Sequence, residues 1–179
     1  KDLVASESDE DAVTGVLYSA NGPDSPAETL EADAVIFAVG ISGMQSIVRS
    51  TKTLASRAQF RNTMNLSPID GVAARLYFDR LIDIEFASNA CFGFPQHDSG
   101  TGWTYFNLNE IHDEFRNEGK SVIEADFYHA NQYLAASDEA VVAEIVAMLR
   151  KAESSFIGAS VEDYSVVRIP RGVTHFRTG

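Results

Sequence analysis

Four histidines, one cysteine, 26 acids and 14 bases are the groups with which this 179-residue chain could do chemistry. His97, His112, His129 and His175 share no spacing that would gather them around a metal. Cys91 stands alone, so neither a disulfide framework nor a cysteine-rich zinc site is written here. Surface or hydrogen-bonding roles account for the histidines. No Gly-x-Ser-x-Gly elbow is present, and no Ser-His-Asp set can be chosen without arbitrariness. Gly100-Thr101-Gly102 has Tyr105 where a dinucleotide fingerprint needs its third glycine, and it reads as a turn. Asn65-Leu66-Ser67 fits a glycosylation sequon, a triplet that also arises by chance. The chain therefore names no catalytic acid, base or metal ligand.

Two other groupings carry more. Arg75 lies on the polar side of one alternating stretch, and Glu124 and Asp126 lie on the polar side of another. If those strands are neighbours, a cross-strand ion pair between Arg75 and these acids is the structural reading, to be tested on Arg75 with Asp126, and a polar cavity wall the functional one. The second grouping is Glu31-Ala32-Asp33 followed by the apolar run Ala34–Val39 and then Gly40. An apolar strand ending in glycine is where open α/β sheets meet a nucleotide, because a Cβ there would obstruct close approach.

The elements that must position these groups follow from periodicity. Residues 12–18 are β-branched and aromatic, and the turn formers of 21–26 follow, which predicts a hairpin. The continuous apolar run 34–39 predicts a strand buried on both faces. A short helix is expected from Met44 to Ser50 with Ser42 as its cap, and helical structure around 54–63. Alternation predicts strands at 71–80, 89–94, 103–108, 121–129 and 161–169, with a loop starting at Pro170. A short helix is expected at 109–117, and the best-specified one at 138–152, capped by Ser137. The fold class expected is α+β, a mixed and largely antiparallel sheet flanked by helices, divided into residues 1–50 and 51–179.

The formal net charge of −12 is uneven: residues 1–33 hold nine acids and one base, whereas residues 168–179 hold three arginines and no acid. Nothing would neutralise phosphates along a stripe, so nucleic-acid binding is excluded as an expectation. The longest uncharged run, residues 34–48, is shorter and more polar than the roughly twenty apolar residues of a membrane span. Peripheral membrane association stays open. With no methionine at its start and a loop-like end, the chain reads as an excerpt of a longer protein.

The run Ala32–Gly40 after the Val13-Thr14-Gly15-Val16 hairpin resembles the exit from the FAD domain in FAD-dependent amine oxidases and phytoene desaturase-like flavoproteins. The resemblance continues through Arg75–Arg80, Ser88–Phe94, Thr101–Phe106, Glu124–Gln132 and Val166–Phe176, and is greatest to carotenoid desaturase relatives. It implies the central, substrate-binding part of an FAD-dependent oxidoreductase, with the last hairpin, strand and short helix of the FAD domain attached. It implies Val39 and Gly40 as cofactor neighbours. Arg168, Arg171 and His175 become interdomain contacts on the segment that returns toward the flavin.

Tyr77, Trp103, Tyr105 and Tyr128 are the candidate lining of an apolar substrate tunnel, and each ring equally suits core packing. The family's glycine-rich pyrophosphate motif is absent from these residues, so the chain alone should bind FAD weakly and be inactive. Three classes remain open: a desaturase acting on a hydrophobic polyene with a quinone-like electron acceptor, an amine oxidase, and a non-catalytic relative that binds or scaffolds. A plastid or cyanobacterial location is what the relatives imply.

Overall fold

Residues 2–6, 8, 12–22, 24–93 and 102–176 are described by a computed structural model. The chain divides into two units, Lys1–Pro68 with Thr174–Gly179, and Ile69–Val173. His97 and the expected turn at Gly100–Thr101 lie outside the described residues, as does the expected strand end at Phe94.

The first unit opens with a three-stranded antiparallel sheet of β1 (Asp2–Ala5), β2 (Val13–Tyr18) and β3 (Glu28–Glu31), with β2 in the centre. Gly15 in β2 faces the β3 backbone so closely that a Cβ there would fall on the Leu30 carbonyl, so this crossing requires glycine. The hairpin is thus as expected, but its return strand is the polar, exposed β3. The apolar run 34–39 forms no strand. Ile36 is 90% exposed and Val39 47%. A strand buried on both faces needs hydrogen-bonding neighbours on both edges, and none pairs with this run among the described residues.

Helix α1 (Gly40–Ser50) starts four residues earlier than its composition suggests, with Val39 rather than Ser42 at the cap position. It buries Ile41, Gln45 and Val48 at helical spacing. The Gln45 side-chain amide donates to the carbonyls of Thr63 and Leu66 at 3.0 and 2.8 Å, which fixes the following loop. The expected helical stretch near 54–63 is broken into α2 (Lys52–Ala55), α3 (Ala58–Arg61) and a 3-10 turn, Asn62–Asn65.

The second unit is built on five strands: β4 (Ser67–Phe78), β5 (Ser88–Cys91), β6 (Trp103–Asn107), β7 (Val122–Tyr128) and β8 (Val161–His175). Their spatial order is β5-β6-β7-β4-β8. Pairing is antiparallel, with Ala74 opposite Ala125 and Ala125 opposite Tyr105. Two helices accompany the sheet, α4 (Leu108–Ile111) and α5 (Asp138–Ala152). The Ser137 hydroxyl accepts the Ala140 N–H, Asp138 and Glu139 open α5, and Arg150 and Lys151 close it, each charge favourable at its end of the dipole. Its stripe of Val141, Val142, Ile145, Met148 and Leu149 packs with the sheet residues Val72, Leu76, Ile123 and Phe127 into one core.

Strand β8 runs through Pro170, where the sequence predicts a stop. Proline supplies no N–H, Arg171 adopts φ 54°, and its N–H donates to the Asp70 carboxylate at 2.8 Å. The irregularity is absorbed as a local defect in the strand, because the displaced donor finds a side-chain acceptor.

Candidate functional site

The register of β4, β6 and β7 sorts their side chains into two faces. Val72, Ala74, Leu76, Trp103, Tyr105, Ile123, Ala125 and Phe127 point into the core. On the reverse face Ala73, Asp126 and Thr104 form one row across the strands, and Arg75, Glu124 and Phe106 form the next. Every residue of these two rows is half-buried. This reverse face is the candidate site.

The four aromatics expected to line a tunnel do not share one face of the sheet. Tyr77 and Tyr128 lie on the half-buried face. Trp103 and Tyr105 are 1% and 3% exposed on the core face, and burial pushes the Tyr105 phenol up to about 12. The core alternative holds for that second pair.

Arg75 donates from Nε and Nη2 to one Glu124 carboxylate oxygen at 3.1 and 2.7 Å. The expected cross-strand ion pair thus forms with Glu124 and not with Asp126: Glu124 stands directly opposite Arg75, whereas Asp126 stands opposite Ala73. The guanidinium also lies 5.6 Å from the Phe115 ring centroid, and Phe115 meets Tyr77 edge-on at 6.5 Å. With both partners partly solvated, a double-mutant cycle should give Arg75 and Glu124 a coupling of about 0.5–1 kcal/mol. The same cycle on Arg75 and Asp126 should give none; equal couplings would refute this register.

Asp126 makes no hydrogen bond or ion pair among the described residues. Burial, reinforced by the nearby Glu124 charge, pushes its carboxyl up to about 6. An acid held above its unfolded pKa of about 3.9 binds its proton more tightly when folded, so stability is greatest below that pKa and falls as pH rises toward 6. Asp126→Asn should accordingly stabilise the fold by about 1–2 kcal/mol at pH 7 and by almost nothing at pH 3.5. Urea unfolding at the two pH values reads this directly; a benefit independent of pH would contradict it.

Sequence reasoning missed Phe115 and the residue that positions it. The Asn109 amide donates to the carbonyls of Phe115 and Lys120 at 2.9 and 3.0 Å, and its oxygen accepts the Val122 N–H at 2.8 Å. One side chain thereby holds the loop of residues 112–121 against β7. The only sequence signal was an asparagine, able to donate and accept at once, ahead of a charged turn. Beside this loop a cavity of about 270 Å³ opens between Tyr77, Phe115, Lys120 and Glu162.

The expected interdomain residues fare differently. Arg168 is engaged inside its own unit, on the Tyr133 and Ala136 carbonyls and the Asp138 carboxylate. Arg171 is exposed, and His175 lies near the end of β8. In the first unit Val39 and Gly40 form the start of α1. Val39 offers no side-chain cap, Gly40 has φ 63°, and no atom lies within 4 Å of a Cβ built on it. Unclaimed N–H groups with open approach suit a hydrogen-bond-accepting or anionic group, so these residues fit a flavin nucleotide as neighbours. Among the described residues no cluster of His, Cys, Asp and Glu could hold a metal, and no helix is long and apolar enough to cross a membrane.

A candidate protoporphyrinogen oxidase from Exiguobacterium sp. 255-15 matches this chain with a TM-score of 0.55 at 12% identity, over 92% of this chain and 36% of that one. The likeness is one of fold. An oxidoreductase from Methanosarcina mazei is matched at 16% identity with a TM-score of 0.46, over 92% of this chain and 35% of that one. The chain thus spans about a third of the length of the solved structures it matches. No protein-family profile matches it, and no curated protein does.

Proposed function

We propose that this chain is the substrate-domain part of an FAD-dependent oxidoreductase and that the reverse face of its five-stranded sheet is a wall of the substrate cavity. The observation that carries this is the two-faced sheet: one face is sealed into the core with α5, and the other stays half-buried, where Tyr77, Phe106, Tyr128 and Ala73 surround the Arg75–Glu124 ion pair and the Thr104–Asp126 row. The fold likeness to a candidate protoporphyrinogen oxidase supports the oxidoreductase class.

Val39 and Gly40 are the residues that would lie beside the cofactor. FAD, when bound, supplies the hydride acceptor. The protein's own part is to orient an apolar substrate and exclude water, which Tyr77, Tyr128, Phe106 and Ala73 are suited to do. Their chemistry favours a long hydrophobic substrate such as a polyene over a charged amine. A plastid or cyanobacterial setting belongs to the same proposal.

The test is a full-length preparation including the segments that complete the flavin domain. It should purify yellow, and its flavin should bleach without oxygen on addition of a linear polyene. Amines and protoporphyrinogen serve as the competing substrates. Bleaching by either alone would reassign the substrate, and no bleaching by any of the three would overturn the enzyme reading.

A further inference from the structure

On the half-buried face, Thr104 of β6 and Asp126 of β7 stand directly opposite one another, with Ala73 of β4 on the far side of Asp126. Neither has a hydrogen-bonding partner among the described residues: the Thr104 hydroxyl is enclosed, whereas the Asp126 carboxyl is only half-buried. Native proteins leave few enclosed polar groups like that of Thr104, because each costs desolvation without return. The next row shows the contrast: Glu124 has its arginine at 2.7 Å.

We infer that the half-buried, unpartnered carboxyl of Asp126 is a hydrogen-bonding anchor for a neutral oxygen function, a carbonyl or hydroxyl, on an otherwise apolar ligand. The inference rests on the cavity-wall reading above and adds to it the ligand's polar end. Charged and titratable groups facing Asp126 are few. Glu124 and Tyr128 flank it on β7, Arg75 on β4 is already bound to Glu124, and β6 contributes only Thr104 and Phe106. No cation is free among them to hold a carboxylate, and Glu124 would repel an anionic ligand. What remains is a protonated carboxyl, a donor, facing a neutral acceptor, and burial keeps that proton on up to about pH 6. Around the pair, Ala73, Phe106 and Tyr128, with Ile169 of β8 near Gly71, offer apolar surface for the ligand's body.

The experiment uses this chain with 2-decanone, which carries the acceptor, and 1-decene, which does not. Carboxyl and aromatic NMR resonances of Asp126, Tyr77 and Tyr128 report binding at pH 5 and pH 8. Both probes should shift the tyrosines. The ketone should bind about fivefold more tightly than the alkene at pH 5, the worth of one net hydrogen bond, and should lose that advantage at pH 8. Asp126→Asn, which keeps a donor, should retain the advantage at both pH values, and Asp126→Ala should lose it at both. Equal binding of ketone and alkene at pH 5 would overturn the anchor while leaving the wall standing. Binding of neither would overturn both.

Discussion

Replacing Trp103 by alanine should destabilise the Ile69–Val173 unit by about 3–5 kcal/mol. The indole is 1% exposed, stacks on Phe127 at 5.5 Å with an 8° interplanar angle, and tilts against Tyr105 at 5.6 Å. Truncation removes both contacts and leaves a cavity that two rigid strands cannot close. A domain's whole stability is of order 5–15 kcal/mol, so the loss would be a large share of it. Urea unfolding followed by far-ultraviolet circular dichroism, with an unchanged slope, measures it. Tyr77→Ala, on the half-buried face, should cost about 1 kcal/mol or less. Comparable losses at the two positions would mean that the faces do not differ as core and wall.

Arg168→Ala should cost about 2–3 kcal/mol. Its guanidinium donates to the Tyr133 carbonyl at 3.1 Å, the Ala136 carbonyl at 2.6 Å and the Asp138 carboxylate at 2.6 Å, with the side chain 24% exposed. It thus ties β8 to the turn that leads into α5 and to that helix's first residue. Alanine strands two carbonyls and a carboxylate together. Lysine should recover only part of the loss, since one ammonium cannot reproduce three bonds made in a planar fork. The measurement also separates two roles. A residue whose work was to contact another domain could be removed without cost to this chain's own unfolding free energy.

Where local rules and tertiary packing agree, the residues announce the fold. Helix α5 carries its cap, its charge gradient and its apolar stripe in plain order, and its observed bounds are those predicted. The alternation of β7 likewise separates Ile123, Ala125 and Phe127 from Glu124, Asp126 and Tyr128. Parity, however, tells only that two faces differ, not which one a helix will cover. That is why Trp103 and Tyr105 could be grouped with Tyr77 and Tyr128 until α5 was seen to dock. Glu124 and Asp126 share a face two residues apart, so choosing between them as the partner of Arg75 requires the register with β4, which no single strand encodes. Phe115 lies four residues after Ile111, a spacing that predicted a helix over 109–117, but the helix ends at Ile111 and Phe115 reaches the site on a turn held by one asparagine. The run 34–39 shows the opposite failure: its residues fit a strand, but a strand exists only through its neighbours.

That run has a colloidal consequence. Six consecutive uncharged residues, rich in β-branched and aromatic side chains and with Ile36 almost fully exposed, are a template on which copies of the chain can stack. The nine acids packed into residues 1–33 stand just ahead of it, and their mutual repulsion keeps such edges apart. Because that repulsion is screened over about 8 Å at physiological ionic strength and about 3 Å in molar salt, light scattering should show dispersed chains in dilute buffer and growing assemblies as salt is added. Ile36→Lys should abolish the growth. The acidic start of the chain then serves as a gatekeeper for its most adhesive segment.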